Sequence, residues 1–179
     1  SARLFLYRAE WQAPAGWKLE VFETGGESRS WMLPADMTPG LAANAALAVV
    51  TALLLGIADE TVQAALTAWR PASLRGELLK HGDKIFLADC YNANPASLAD
   101  ALAGFAMRAP ADLPRLYILG SMAELGPNAA SLHRTSLTGL RLRATDRALL
   151  LGPHAEDYRA ALMASGHSSA QIGVVSLEL

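Results

Sequence analysis

Apolar strands alternate with amphipathic helices along residues 71–179, and this order restricts the fold more than any other feature. Apolar runs such as KIFLADC, RLYILG and RALLLG are each followed by a polar loop and then by apolar residues at helical spacing. This order implies crossover connections, so we predict an α/β fold with a mostly parallel sheet and helices on both faces. GELLK, the turn HGD and KIFLADC are predicted to form a hairpin whose second strand is fully buried. The other predicted elements are helix 95–107, strand 115–120, helix 128–142, strand 147–152, helix 154–165 and strand 172–177.

The first seventy residues follow a different pattern. Three stretches before residue 40 have near-alternating apolar and polar residues, which predicts strands. Two helices are predicted over about 41–55 and 59–69, the second capped by Asp59. RPAS at 70–73 ends a helix without starting another element and is the predicted domain boundary. The predicted domains are 1–70 and 71–179.

Composition favours a packed globular protein. Hydrophobic residues make up 52% of the chain and charged residues 18%, which is enough for a core and atypical of disorder. A net charge of −2 gives no electrostatic reason to expect a nucleic-acid partner. Cys90 is the single cysteine, so an internal disulfide and a multi-cysteine zinc site are both excluded. That usage fits a reducing cytoplasm, where we expect the protein to act.

The apolar stretch at 41–57 is long enough to be weighed as a membrane span. It is rich in alanine, contains Asn44 and lacks flanking Lys and Arg residues, so a buried helix is the favoured interpretation. No membrane partner is expected. Because Ser1 lies just before an apolar strand pattern without a signal-peptide sequence, we expect the chain to be part of a longer protein.

Two polar loops follow predicted strands, and both are candidates for a ligand site. DCYNANP (89–95) follows one strand, and GSMAELGPNAASLH (120–133) follows the next. Ligands of open α/β sheets bind outside the carboxyl ends of the strands, so both loops are expected to face one crevice. Glu124 and His133 flank the second loop, and each is equally compatible with a capping, surface or structural role.

The first loop permits two interpretations at each polar position. Asn94 before Pro95 is a strong helix start, and the same helix end is able to face a phosphate or carboxylate. Asp89 is suited either to bind a ribose hydroxyl or to orient an arginine. Tyr91 either packs on a ring or fills the base of the loop. Asn92 lies two residues before the cap, where no capping residue is required.

No phosphate-binding loop of the form G-x-x-x-x-G-K-[ST] occurs in the sequence. The only lysines are Lys18, Lys80 and Lys84. The sequence therefore predicts that this chain alone is not an ATPase, and it indicates no catalytic residue and no metal ligand.

The segments RGELLKHGDKIFLADCYNANPASLADAL and YILGSMAELG, with a later LH, together resemble the C-terminal part of the Mur ligase family. The resemblance covers about residues 16–179. YNANP is typical of the members that add D-Ala-D-Ala. The resemblance implies that residues 1–70 complete the family's central ATP-binding domain. Residues 71–179 would then form the Rossmann-like C-terminal ligase domain, truncated at its end.

By this resemblance the substrates are UDP-N-acetylmuramoyl-tripeptide and D-Ala-D-Ala, joined through an acyl phosphate formed from ATP with Mg²⁺. The enzyme is expected to be a monomer, with ATP and Mg²⁺ held mainly by residues outside this chain. The implied nucleotide-binding residues are Asn44, Arg75, Asp89, Asn92 and Asn94. The implied acceptor-binding residues are Tyr91, Pro95, Glu124, Leu125, Gly126 and His133.

Three departures from the family pattern leave alternatives open. Gly40 stands where the family usually has a histidine, and Leu98 stands where a methionine is usual. The chain also ends before the family's final Lys-Gly-Ser-Arg segment. One alternative is a catalytically inactive Rossmann-like binding module. The other is a Mur ligase with a different acceptor.

Overall fold

The computed structural model describes residues 4–175 and divides the chain into two compact units. The first ends at Asp89 and the second begins at Cys90. The hairpin that follows RPAS therefore belongs to the first unit by its contacts. The division into domains 1–70 and 71–179 stays a prediction.

The first unit opens with a three-stranded antiparallel sheet of β1 (Phe5–Gln12), β2 (Gly16–Glu23) and β3 (Ser28–Leu33), in that order. Alternate residues of β2 and β3 are buried on one face, as expected for a sheet with one face against a core. These buried residues are Trp17, Leu19, Val21, Trp31 and Leu33. The strands predicted before residue 40 are confirmed.

Gly16 allows the start of β2 to approach the end of β3. Its φ is +116°, and a Cβ at this position would lie 2.3 Å from the Leu33 carbonyl oxygen. Only glycine fits such a position. The indole Nε1 of the adjacent Trp17 donates to the Met37 carbonyl oxygen at 3.0 Å, which fixes the chain where it leaves the sheet.

Helices α1 (Pro39–Leu54) and α2 (Asp59–Ala68) follow, as predicted. Thr38 caps α1, and the buried face of α1 consists of small residues. Asp59 is not the N-cap of α2: Ala58 occupies that position, and Asp59 instead pairs with Arg29 at 3.1 Å. No helix among the described residues is long and apolar enough to cross a membrane.

The hairpin consists of β4 (Arg75–His81) and β5 (Lys84–Asp89). The prediction that its second strand is fully buried is wrong. Ile85 is 58% exposed and Phe86 46% exposed. The reason is that, within residues 4–175, β5 pairs with β4 alone in a two-stranded sheet.

The second unit contains a parallel sheet of β6 (Leu116–Gly120), β7 (Arg147–Leu151) and β8 (Ile172–Val175), in that order. Its helices are α3 (Pro95–Arg108), α4 (Ala129–Ser136) and α5 (Ala155–Ala164). The α/β class with a parallel sheet is confirmed. The two faces of β6 differ, since Tyr117 and Leu119 are buried whereas Leu116 and Ile118 are exposed.

Helix α4 is shorter than the helix predicted over 128–142. The hydroxyls of Thr135 and Ser136 donate to carbonyls of the preceding turn, and Gly139 follows three residues later. Both features weaken helix continuation. The last two residues of the strand predicted over 172–177 lie outside the described residues.

Asp146 joins the loops at the amino edge of this parallel sheet. Its carboxylate is fully buried and accepts from the backbone N–H of Arg115 and of Arg143 at 3.0 Å each. The Arg143 guanidinium also donates to it at 2.8 Å and reaches carbonyls of Ala111 and Leu113. Burial alone would raise the Asp146 pKa, but hydrogen bonds from the Arg143 side chain and from both backbone groups lower it to about 2.

Because of this carboxylate, the stability of the second unit decreases at acid pH. Its folded pKa lies below the ordinary value of 3.8, so its contribution is complete above about pH 4 and is lost as the pH falls through about 2. We expect Asp146→Asn to lower the free energy of unfolding by about 3 kcal/mol at pH 7. The variant should lose much of the acid dependence between pH 4 and 2, measured by urea unfolding. Asp83→Asn, whose side chain is 88% exposed, is the matched control; equal effects of the two variants would contradict this account.

Candidate functional site

The loops after β6 and β7 leave the carboxyl edge of the parallel sheet, and Ser121 holds them together. Its backbone N–H donates to the Leu151 carbonyl at 3.0 Å, and its hydroxyl accepts from the His154 backbone N–H at 2.9 Å. Gly152 lies against it with φ +90°, and a Cβ there would be 2.8 Å from the Ser121 hydroxyl oxygen. The two loops are therefore fixed relative to each other, as a ligand site requires.

His133 fixes the loop after β6 from inside the core. It is fully buried, its Nε2 accepts from the Met122 backbone N–H at 2.8 Å, and its Nδ1 lies 2.7 Å from the Ala129 carbonyl oxygen. An acceptor at Nε2 requires the proton on Nδ1, so the imidazole is the neutral tautomer. Both ring nitrogens are hydrogen-bonded within the fold, and His133 supports the predicted acceptor loop from its buried side through Met122. The buried ring has no exposed atom that could contact a ligand.

Tyr158 completes this buried support. It is fully buried beside His133, with ring centroids 4.9 Å apart, and burial raises its pKa to about 12. The phenol therefore remains neutral. Its hydroxyl lies 3.4 Å from the carbonyl oxygen of Gly120, the last residue of β6. The start of α5 is thereby anchored under the end of that strand.

Glu124, Leu125 and Gly126 form the turn that His133 supports. Glu124 has φ +59°, a left-handed conformation that is rare for a residue with a side chain, and Gly126 has φ +63°. Strain of this kind concentrates at functional sites and persists only where the surroundings enforce it. The Leu125 side chain packs against the core of the second unit, as Ala93 of the first loop also does.

Asn94 is the N-cap of α3, and a complete capping box confirms the predicted helix start. Its Oδ1 accepts from the Ser97 N–H at 2.9 Å, and the Ser97 hydroxyl accepts from the Asn94 N–H at 3.0 Å. Asn92 binds locally, since its Oδ1 accepts from the Ala93 N–H. Tyr91 is 65% exposed and Pro95 is the first residue of the helix.

The remaining predicted residues belong to the first unit. Arg75 and Asp89 lie directly opposite each other in the register of the hairpin, at its open end. Gly76, with φ +75°, lies in the irregularity of β4 that follows Arg75. Asn44 is exposed on α1, one turn after Gly40. Within this unit Arg75 and Asp89 are neighbours across the two strands of the hairpin, whereas Asn44 lies on helix α1.

Three residues of this edge were missed by sequence reasoning: Ser121, His154 and Asp157. His154 stacks on His133 with ring centroids 4.3 Å apart, and its Nδ1 lies 2.9 Å from Asp157 Oδ2. The spacing of His154 and Asp157, one helical turn apart at a helix start, was the available signal. Among residues 4–175, no group of three or more His, Cys, Asp or Glu side chains is arranged to hold a metal ion.

Comparison with known proteins identifies the family. The family model described as "Mur ligase, glutamate ligase domain" matches residues 74–176, which is more than half of the chain. The chain belongs to the Mur ligase family. The resemblance of the YNANP and MAELG loops to this family is thereby confirmed, and the family is one of ATP-dependent ligases.

Similar proteins include a curated ligase and solved structures of MurF. The chain is 36% identical over 97 residues to UDP-N-acetylmuramoyl-tripeptide–D-alanyl-D-alanine ligase of Treponema pallidum, covering 53% of this chain and 20% of that protein. The crystal structure of MurF from Acinetobacter baumannii matches with a TM-score of 0.71 at 22% identity, over 93% of this chain and 34% of that one. MurF from Thermotoga maritima in complex with ADP matches with a TM-score of 0.66 at 16% identity, over 96% of this chain and 42% of that one. The chain therefore spans about a fifth of the curated relative it matches.

The capping box gives the first prediction for this site. We expect Asn94→Ala to lower the free energy of unfolding by about 1 kcal/mol, because the Ser97 N–H loses its acceptor. Asn94→Ser should retain most of the stability. Asn128→Ala is the matched control, since Asn128 is the N-cap of α4 without a side-chain capping bond. Urea unfolding measures all three, and equal losses in the two alanine variants would refute the assignment.

The second prediction concerns His133. Replacing it with leucine leaves the buried Met122 N–H without its acceptor, and we expect a loss of about 3 kcal/mol in the free energy of unfolding. The amide of Met122 should also exchange with deuterium faster than in the wild type. His81→Leu, at an exposed histidine of the hairpin, is the control. Unchanged protection of Met122 would show that the imidazole does not hold the loop.

Proposed function

We propose that this chain provides the acceptor side and part of the nucleotide side of an ATP-dependent ligase that joins D-Ala-D-Ala to UDP-N-acetylmuramoyl-tripeptide. The reaction would proceed through an acyl phosphate, which the amine of the dipeptide attacks. The observation that carries this proposal is the identity to the Treponema pallidum ligase, which bears that activity in its name. Such a ligase contributes to peptidoglycan precursor synthesis, and we place it in the cytoplasm as a monomer.

The first loop supports the nucleotide side of the proposal. Helix α3 runs over 14 residues, and its first-turn N–H groups carry the partial positive charge of a helix end. Such an end binds phosphate oxygens. Tyr91 precedes this helix and is 65% exposed, and an aromatic ring suits stacking on a base. The ADP bound to the Thermotoga maritima relative is a ligand of this class.

The hairpin supports the same side by its register. Arg75 and Asp89 are opposite each other, which places a guanidinium and a carboxylate at one end of two paired strands. A guanidinium suits phosphate oxygens, and a carboxylate suits the two hydroxyls of a ribose. Asn44 would hydrogen-bond the base. We assign Mg²⁺ no ligand among the described residues and leave it to the phosphates of ATP.

The second loop supports the acceptor side. The strained Glu124 and Gly126, two residues later, belong to a turn held from behind by His133. A backbone fixed in this way presents its groups to a small ligand with little reorganisation, which favours binding. D-Ala-D-Ala is small and carries one amino and one carboxylate group. Glu124, Leu125 and Gly126 would shape its pocket, with Tyr91 and Pro95 on the side of the first loop.

The decisive test is phosphate release by the intact gene product with ATP, Mg²⁺ and UDP-N-acetylmuramoyl-tripeptide. We expect release that depends on D-Ala-D-Ala. Release that depends on a different amino acid or dipeptide would keep the family and change the acceptor. A folded protein that releases no phosphate with any acceptor would refute the ligase and favour an inactive binding module.

Two substitutions test the nucleotide residues. We expect Arg75→Gln and Asp89→Asn each to raise the KM for ATP about tenfold, since each removes one charged hydrogen bond to the nucleotide. The KM for D-Ala-D-Ala should change less. Asp83→Asn lies in the turn of the same hairpin, and its exposed side chain makes it the control. An unchanged KM for ATP in both variants would remove Arg75 and Asp89 from the site.

A further inference from the structure

His154 is the one histidine at the carboxyl edge of the parallel sheet that has no part in the function proposed above. It lies in the loop after β7 and is the N-cap residue of α5, without a side-chain capping bond. Its ring stacks on the buried, neutral ring of His133 at an interplanar angle of 21°. Packing therefore holds the ring in place, and its two nitrogens are the atoms through which it can bind a partner.

The two nitrogens of His154 differ. Nδ1 lies 2.9 Å from Asp157 Oδ2, and a carboxylate oxygen accepts, so Nδ1 carries a proton. The other oxygen of Asp157 is 2.8 Å from Arg134 Nη1, which holds the carboxylate in place. Nε2 has no hydrogen-bond partner among residues 4–175, and the side chain is 28% exposed. In the neutral ring this nitrogen is left as a hydrogen-bond acceptor.

The position of Nε2 is fixed relative to the proposed acceptor loop. The backbone N–H of His154 donates to the hydroxyl of Ser121, which begins the loop that contains Glu124 and Gly126. The same loop is held by His133, on which His154 stacks. Both loops leave the sheet at the edge where ligands of this fold bind. A small ligand on the Glu124 turn would therefore have His154 as a neighbour on the adjacent loop.

The surrounding charges select the chemistry of that ligand. Two acids, Glu156 and Asp157, lie in the first turn of α5. Asp157 pairs with Arg134, and Glu156 pairs with Arg159. The imidazole thus adjoins a carboxylate that is already neutralised, and it is stacked on an uncharged ring. A free lone pair in such a place accepts a hydrogen bond from an N–H donor. A carboxylate ligand would instead require a protonated Nε2.

We propose that His154 binds the amino group of the acceptor dipeptide, with Nε2 accepting a hydrogen bond from that group. This inference rests on the proposed function, because it assigns the amino group of the same acceptor to a particular side chain. Asp157 is then a positioning residue, since it fixes the tautomer and the ring orientation of His154. Arg134 acts one step further away by holding Asp157.

The test compares two ligands that differ only at the amino group, D-Ala-D-Ala and N-acetyl-D-Ala-D-Ala. Each is titrated into the intact gene product with Mg²⁺, a non-hydrolysable ATP analogue and UDP-N-acetylmuramoyl-tripeptide present at saturation, and the Kd is measured by calorimetry. We expect His154→Leu to weaken binding of D-Ala-D-Ala about tenfold, the loss of one hydrogen bond to a charged group. Binding of the acetylated dipeptide should be weaker in the wild type and unchanged by the substitution.

Two further variants separate binding from folding. His154→Gln retains an acceptor oxygen and should bind D-Ala-D-Ala within about threefold of the wild type, by the same hydrogen-bond scale. His167→Leu alters another half-buried histidine of the same unit, which bonds to the Leu140 carbonyl, and should leave both Kd values unchanged. These variants show whether a loss in His154→Leu comes from the missing acceptor atom.

Three results would overturn the inference. If His154→Leu weakens both dipeptides equally, the residue binds the carboxylate or acts only on structure. If the wild type binds both dipeptides equally, the amino group is not recognised, and the proposed function stands without this residue. If the wild type binds neither and releases no phosphate with D-Ala-D-Ala, the proposed acceptor is wrong and the inference fails with it.

Discussion

The carboxyl edge of the parallel sheet depends on a single buried imidazole. His133 lies in the core of the second unit, yet both its nitrogens bond to the backbone, one to Met122 and the other to Ala129. These two residues flank the turn that contains the strained Glu124. Burying a polar ring is favourable only when its hydrogen bonds are made, and here they are made by the segment that must be held. The hydrogen bonds of His133, on the buried side of the loop, thereby offset the free-energy cost of the left-handed backbone at Glu124.

This arrangement separates support from binding along the same loops. Inward-facing groups, such as the Ser121 hydroxyl and the Tyr158 phenol, are used within the fold. Outward-facing positions, such as Glu124 and Tyr91, are exposed. A ligand that binds there would meet a backbone that is already ordered, so little conformational entropy would be lost on binding. The same separation explains why a fully buried histidine can matter to a site that it does not touch.

Local signals in the sequence were sufficient for some of these features and insufficient for others. Asn94 before Pro95 predicted the start of α3 correctly, because a capping box is made by residues three positions apart. The role of His133 could not be predicted, since its partner Met122 is 11 residues away and is brought near only by the fold. Apolar spacing that continues through Leu137 and Leu140 predicts a longer α4, whereas the hydroxyls of Thr135 and Ser136 stop the helix. The apolar run of β5 predicts burial, but such a run does not reveal how many strands pair with it.

The two edges of the parallel sheet both carry polar clusters, and hydrogen-bond saturation distinguishes them. At the amino edge, three donor groups of Arg143 bond to the two oxygens of Asp146, and the backbone N–H of Arg115 adds a fourth. That carboxylate has no capacity left for a ligand, so its role is stability.

At the carboxyl edge, His154 is oriented equally firmly, by Asp157 and by stacking, but one nitrogen remains without a partner among the described residues. A side chain that is held rigidly and left unsaturated is what a binding site needs, whereas rigidity with full saturation indicates structure alone. By this criterion we expect a ligand of the second unit to bind where its strands end, in agreement with the general rule for parallel sheets.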